Sequence, residues 1–184
     1  MEKIKKMLVV VAIFAYAGLL GFEVACAEGT SNGSAPIITH SYAVEKGQYG
    51  NIWKIYIEAN DQDGDMSKIA VVVHQLGYGH YPTDWIVVKP PFRKEMRGYI
   101  QWNTFSSRTS YLREWTNITL TVSVFDKTGK ESNEVVFPFE FVSGAHRYPK
   151  PPAPFNGEGL PILGYIHIDL FEPTIDGRDA PREY

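Results

Sequence analysis

Ile118, Leu120, Val122 and Val124 alternate with Thr119, Thr121 and Ser123. A period of two is the period of a β-strand with one apolar face and one wet face. Such a strand must pair with neighbours and lay its apolar side on a second layer. The same period recurs along the chain. Trp53, Ile55, Ile57 and Ala59 alternate with Lys54, Tyr56 and Glu58, while Ile69, Val71 and Val73 share one face of the next run. Trp85–Val88 is a short apolar segment closed by Lys89-Pro90-Pro91, and the aromatic run Met96–Trp102 follows. Val135, Phe137, Phe139 and Phe141 close the series. With Ile37–Val44 these make seven strands across 37–142, and no stretch between them has an amphipathic helical pattern. Seven short strands with frequent turn signals predict an all-β chain, an immunoglobulin-like antiparallel β-sandwich. Pro138 cannot donate a ladder hydrogen bond, so its strand is expected at an edge or bulged there.

The N-terminus reads as targeting. Lys3, Lys5 and Lys6 precede an apolar run of 16 residues, Met7 to Phe22. That is short of the roughly 20 residues a membrane span needs and fits a secretory signal. Ala25-Cys26-Ala27 supplies a small-x-small cleavage pattern, which gives 1–27 as signal peptide and 28–36 as a polar lead. The expected destination is secreted or periplasmic. The alternative is a lipoprotein anchored through Cys26, although Glu23 stands where such signals carry an aliphatic residue. After cleavage behind Ala27, 157 residues remain and none is cysteine. Disulfides, thiolate nucleophiles and thiolate metal sites are thereby excluded from that product. Its 15 basic and 19 acidic residues leave about −4, which argues against nucleic acid or anionic lipid as partner.

Composition changes after Val142. Tyr148-Pro149-Lys150-Pro151-Pro152-Ala153-Pro154 lies in a proline-rich extension, 143–161, expected to be extended and stiff. Residues 162–184 combine a strand-like segment, Ile162 to Phe171, with a charged tail. That strand is expected on its own sandwich, or alternatively on a partner's sheet edge.

Ile55 to Val73, reading IYIEANDQDGDMSKIAVVV, resembles the second and third strands of bacterial immunoglobulin-like or cadherin-like extracellular modules. Ile118 to Phe141, with Val124-Phe125-Asp126-Lys127-Thr128-Gly129-Lys130-Glu131-Ser132, resembles their penultimate hairpin. The resemblance covers about residues 37–142. It implies an adhesive, structural or ligand-presenting module without catalysis.

Two places invite chemistry. The first is Asp61-Gln62-Asp63-Gly64-Asp65, which begins like a calcium-binding EF-hand loop. The sixth and twelfth positions of that loop require glycine and a bidentate glutamate, whereas Met66 and Val72 stand there. An EF-hand is excluded. In the sandwich this turn and the turn after Asp126 emerge at the same end. Asp61, Asp63, Asp65 and Asp126 then form either ordinary turn chemistry or a calcium site of another kind. The second place is the aromatic stretch from Tyr78 to Trp115. Trp53 and Trp85 lie in runs that read as buried, whereas Tyr78, Tyr81 and Tyr111 sit among glycine and polar loop residues. These three tyrosines are the candidates for stacking on a glycan or anchoring a protein.

Catalytic signals are poor. His40, His74, His80, His146 and His167 show no metalloprotease spacing, although His74 and His80 stand close enough in sequence to meet. No serine stands in G-x-S-x-G. Glu95 and Glu114 border the aromatic region without an assigned role. The expected function is an exported, non-catalytic binding or adhesion module of the cell envelope, with an envelope protein or glycan as partner. The alternatives are an assembly subunit docking through its C-terminal strand and a small carbohydrate-active enzyme.

Overall fold

The computed structural model describes residues 33–105, 116–144 and 149–171. The expected signal peptide, Tyr111, Glu114 and the charged tail lie outside the described residues. Ten strands follow in order: β1 (Ile37–Ala43), β2 (Lys46–Gly47), β3 (Ile52–Asn60), β4 (Met66–Gln75), β5 (Gly79–His80), β6 (Asp84–Val87), β7 (Glu95–Asn103), β8 (Asn117–Asp126), β9 (Val135–Phe141) and β10 (Ile162–Ile166). A 3-10 turn, Pro90–Phe92, precedes β7. Each of the seven anticipated runs is a strand, and β10 falls within the strand-like segment expected at Ile162 to Phe171; β2 and β5 are additions.

The strands form two layers. One sheet has the order β1-β3-β7-β10; the other runs β2-β9-β8-β4-β5, with β6 also paired to β4. This is an immunoglobulin-like sandwich: β3 and β7 carry one layer, and the hairpin β8–β9 with β4 carries the other. Two edge pairings are parallel, β2 on β9 and β10 on β7, so the sheets are mixed rather than wholly antiparallel. Beyond β8, only the two-residue β2 reaches β9, at Glu140 and Phe141. Pro138 therefore stands on a stretch of open edge, as its missing N–H requires.

The core follows the alternation. Trp53, Ile55, Ile57 and Ala59 of β3 and Met96, Ile100 and Trp102 of β7 face Ile69, Val71 and Val73 of β4 and Ile118, Leu120, Val122 and Val124 of β8. Trp53 is the inter-layer knot. Its ring lies 4.4 Å from that of Phe139 and 6.1 Å from that of Trp102, and its indole N–H donates to the Val44 carbonyl at 2.9 Å.

The proline-rich segment and β10 belong to this packing. Phe155 is buried against Tyr56 on the outer face of the first sheet, 5.5 Å between ring centroids. β10 then enters beside β7 at a point cleared by glycine. A Cβ on Gly98 would lie 2.5 Å from the Pro161 carbonyl oxygen, and one on Gly164 would lie 2.2 Å from Ile86 Cγ2. The strand thus fills the seam between β7 of one layer and β6 of the other. Past it, the Ile168 carbonyl accepts the Trp102 indole N–H at 3.0 Å, and the His167 amide donates to Asp84 at 2.7 Å. The C-terminal strand is a member of its own chain's sheet.

Candidate functional site

At one pole of the sandwich the turn between β3 and β4 meets the turn between β8 and β9. Met66 pairs with Asp126, and the Lys127 amide donates to the Asp65 carbonyl at 3.1 Å. Asp126 therefore lies beside Asp61, Asp63 and Asp65. The four carboxylates do different work. The buried Asp61 accepts the amides of Asp63 at 3.3 Å and Asp65 at 2.8 Å, which closes its own turn. Asp126, also buried, accepts the Lys130 amide at 2.8 Å and the Thr128 hydroxyl at 2.9 Å. Burial pushes the Asp126 carboxyl up, but the donors from Lys130, Thr128 and Gly129 outweigh it and hold the group below its ordinary value. Asp63 accepts the amide and hydroxyl of Ser34, while Lys130 Nζ donates to the neighbouring Gly33 carbonyl.

Asp65 differs. Its Oδ1 is buried and has no hydrogen-bond partner. Burial raises its carboxyl, followed by a side-chain contact with Asp61 and the charges of Asp126, Asp61 and Asp63. Among the described residues, no group of three or more His, Cys, Asp or Glu side chains is arranged to hold a metal ion. Two of the four carboxylates here already serve as turn acceptors.

Tyr78 and Tyr81 fall elsewhere than the exposure expected of them. Tyr81 is only 7% exposed. Its hydroxyl donates to Gln75 Oε1 and accepts the Phe171 amide at 2.8 Å, while Gln75 Nε2 donates to the Phe171 carbonyl at 2.6 Å. Tyr78 is half-buried, stacked 4.8 Å from both Tyr81 and Phe171. These two rings border a cleft of about 440 Å³ shared with Asp84 and His167, but their evident work is to fasten the C-terminal segment to β4. Buried loop aromatics arise because the late segment covers a loop that seemed, from its neighbours, to face water.

A second cleft, of about 530 Å³, lies between β3, β7 and residues 158–161 and gathers Glu58, Glu95, Glu158 and Arg97. Glu58 Oε2 is buried without a hydrogen bond. His40 Nδ1 approaches the same oxygen at 3.3 Å.

Three described aromatics do reach solvent: Phe105, Tyr165 and, on the second sheet, Trp85, which is 50% exposed. The run containing it reads as buried because both parities of β6 are apolar. In the structure Ile86 points inward, leaving Trp85 and Val87 outward. Across the outer face of the second sheet, register sets Val87, Lys68 and Phe125 in one row and Trp85, Ala70 and Ser123 in the next. In a further row Thr121 stands between Val72 and Val136. Phe125 meets the Trp85 ring edge to face at 5.4 Å, and Lys68 Nζ lies 5.6 Å from its centre. Val87 is 68% and Val136 57% exposed. From β6 to β9 this band of apolar side chains, interleaved with Lys68, Ser123 and Thr121, spans three strand spacings, about 14 Å. Alternation in β8 and β9 could have located Phe125 and Val136; nothing in the sequence joined them to Trp85.

No family model and no curated protein matches this chain. Among solved structures it is similar to fibronectin(III)-like modules of CbhA from Clostridium thermocellum, at 15% identity and a TM-score of 0.37. That match covers 62% of this chain and 52% of the other, so it spans about half of that structure. The chain is also similar to a CARDB domain from Pyrococcus furiosus, solved in complex with di-metal ions. There the identity is 10% and the TM-score 0.34, over 60% of this chain and 94% of the other.

Proposed function

We propose that this chain is an exported, non-catalytic binding module of the cell envelope and that it engages a protein through the outer face of β6, β4, β8 and β9. The observation that carries the reading is the exposed band of Trp85, Val87 and Val136, supported by Phe125 and Val72. Large apolar side chains cost free energy in water, and contiguous ones on a sheet face are the usual ground of a protein contact. A protein suits the band better than a glycan. The band is broader than one sugar ring, and Lys68 and Phe125 crowd the indole that a sugar would stack on. Trp85 is the anchor, because a half-exposed indole supplies large area at small conformational cost.

The test is capture of envelope proteins on the immobilised chain, comparing it with Trp85→Ala, Val136→Asp and the distant Asp63→Asn. Loss of one specific protein with the first two variants, and its retention with the third, is expected. Capture indifferent to Trp85→Ala and Val136→Asp overturns the proposal. Binding of a polysaccharide that Trp85→Ala abolishes points to a glycan instead.

A second reading concerns calcium at Asp61, Asp63, Asp65 and Asp126. It is favoured by the unpartnered Oδ1 of Asp65 among three further carboxylates. Hard oxygen donors suit calcium. Calorimetric titration decides it: neither heat nor a rise in melting temperature at millimolar calcium would end this reading.

A further inference from the structure

His74 and His80 face one another across the hairpin of β4 and β5. The Tyr81 amide donates to the Val73 carbonyl at 2.9 Å, so 73 and 81 form a hydrogen-bonded pair. The adjacent 74–80 pair is then of the non-hydrogen-bonded kind, in which opposing side chains stand closest. Their rings are 4.6 Å apart between centroids and inclined by 50°, so they converge without lying flat on each other. Among the described residues, neither ring has a hydrogen-bonded or ion-paired neighbour. His80 is exposed and His74 half-buried, which leaves the pair open to solvent.

The base of the pair is firmly held. The Tyr78 amide donates to the Gln75 carbonyl at 3.0 Å, and Gly77 takes φ +83° in the connecting turn. Gln75, next to His74, is fully buried and tied to Tyr81 and Phe171.

The spacing suits a shared ion. A ring nitrogen lies about 1.1 Å from the imidazole centre and binds zinc-like ions at about 2.0–2.1 Å, which puts an ion about 3.2 Å from each centre. Two centres 4.6 Å apart then subtend roughly 90–95° at that ion. That is the angle between neighbouring ligands in square or octahedral coordination, and a modest compression of the tetrahedral one.

We propose that His74 and His80 are a two-histidine site for a late first-row divalent ion: copper(II), nickel(II) or zinc(II). Imidazole is a good ligand for these ions and a poor one for calcium or magnesium. Since no third His, Cys, Asp or Glu among the described residues completes the set, the remaining positions stay open to water or to another molecule's donor. The intrinsic order for nitrogen ligands makes copper the tightest of the three.

Untagged full-length protein is titrated calorimetrically with copper(II), nickel(II) and zinc(II) in a non-chelating buffer, with calcium in parallel. Saturable binding is expected, tightest for copper, with His74→Gln and His80→Gln each weakening it about tenfold or more. Both variants should keep the wild-type melting temperature, and His40→Gln and His167→Gln should keep wild-type affinity. Absence of saturable binding below roughly 1 mM copper, or undiminished binding in the His74→Gln/His80→Gln double variant, overturns the site.

Discussion

Two aspartates a few ångströms apart in the same pole respond to pH with opposite sign. Asp65 is raised by burial, by its contact with Asp61 and by the neighbouring carboxylates. A raised folded-state value means a contribution that is complete at acid pH and lost as pH rises through that value. At pH 7 the ionised Asp65 is therefore a net strain on the fold. Asp65→Asn removes the charge and supplies an amide donor towards Asp61; it should raise stability at pH 7 by about 0.5–1 kcal/mol. The gain should vanish near pH 4 and below, as urea unfolding at the two pH values would show. Asp126 is lowered, so its contribution is present above the ordinary aspartate range and fades as pH falls through its depressed value. Asp61→Ala leaves the amides of Asp63 and Asp65 without their acceptor. A loss of about 1–3 kcal/mol at pH 7 is expected, measured by the same unfolding curves.

At the scale of elements, strand identity was legible because parity of apolar residues is a direct consequence of the pleat. β3, β4, β8 and β9 could be placed, with their inward faces, from the sequence. The parity of β6 could not, since Trp85, Ile86, Val87 and Val88 are all apolar; only pairing with β4 shows which pair faces water. The meeting of Asp65 and Asp126 could be foreseen from topology. The roles of Tyr78 and Tyr81 could not, because they depend on a segment 90 residues further on closing over them. Nor does composition reveal why Gly98 and Gly164 must be glycine. Gly164→Ala pushes a methyl into Ile86 Cγ2, a branched and stiff neighbour. A loss of about 1–3 kcal/mol is expected. Combining it with Ile86→Ala should cost less than the two single changes added together, because the methyl then has room. Additive losses in a double-mutant cycle would show that the two residues do not share this space.

For the molecule as a whole, the late segment decides whether 37–142 can stand alone. Truncation after Pro161 removes the acceptor of the Trp102 indole and the groups that satisfy Gln75 and Tyr81. It also strips Leu163, Ile166, Ile168 and Leu170 from the core. Each orphaned buried polar group costs about 1–3 kcal/mol and each lost apolar side chain a similar amount. The sum exceeds the usual stability of a domain of this size. The truncated chain should therefore lack a cooperative melting transition by circular dichroism. A well-folded 28–161 fragment would mean that the seam can reseal without β10.

The placement of β10 also sets a timetable. Trp102 pairs with Ile166, a partner that emerges from the ribosome long after it. Until then, the flank between β7 and β6 is an unfinished, sticky margin, held open while the rest of the sandwich is already on hand. Closing so long a loop is slow, and a chain waiting to close it is exposed to wrong partners. The last strand made thus acts as a latch: a chain cut short in translation or trimmed by a protease cannot complete its core. Only full-length copies should persist for long beside proteases.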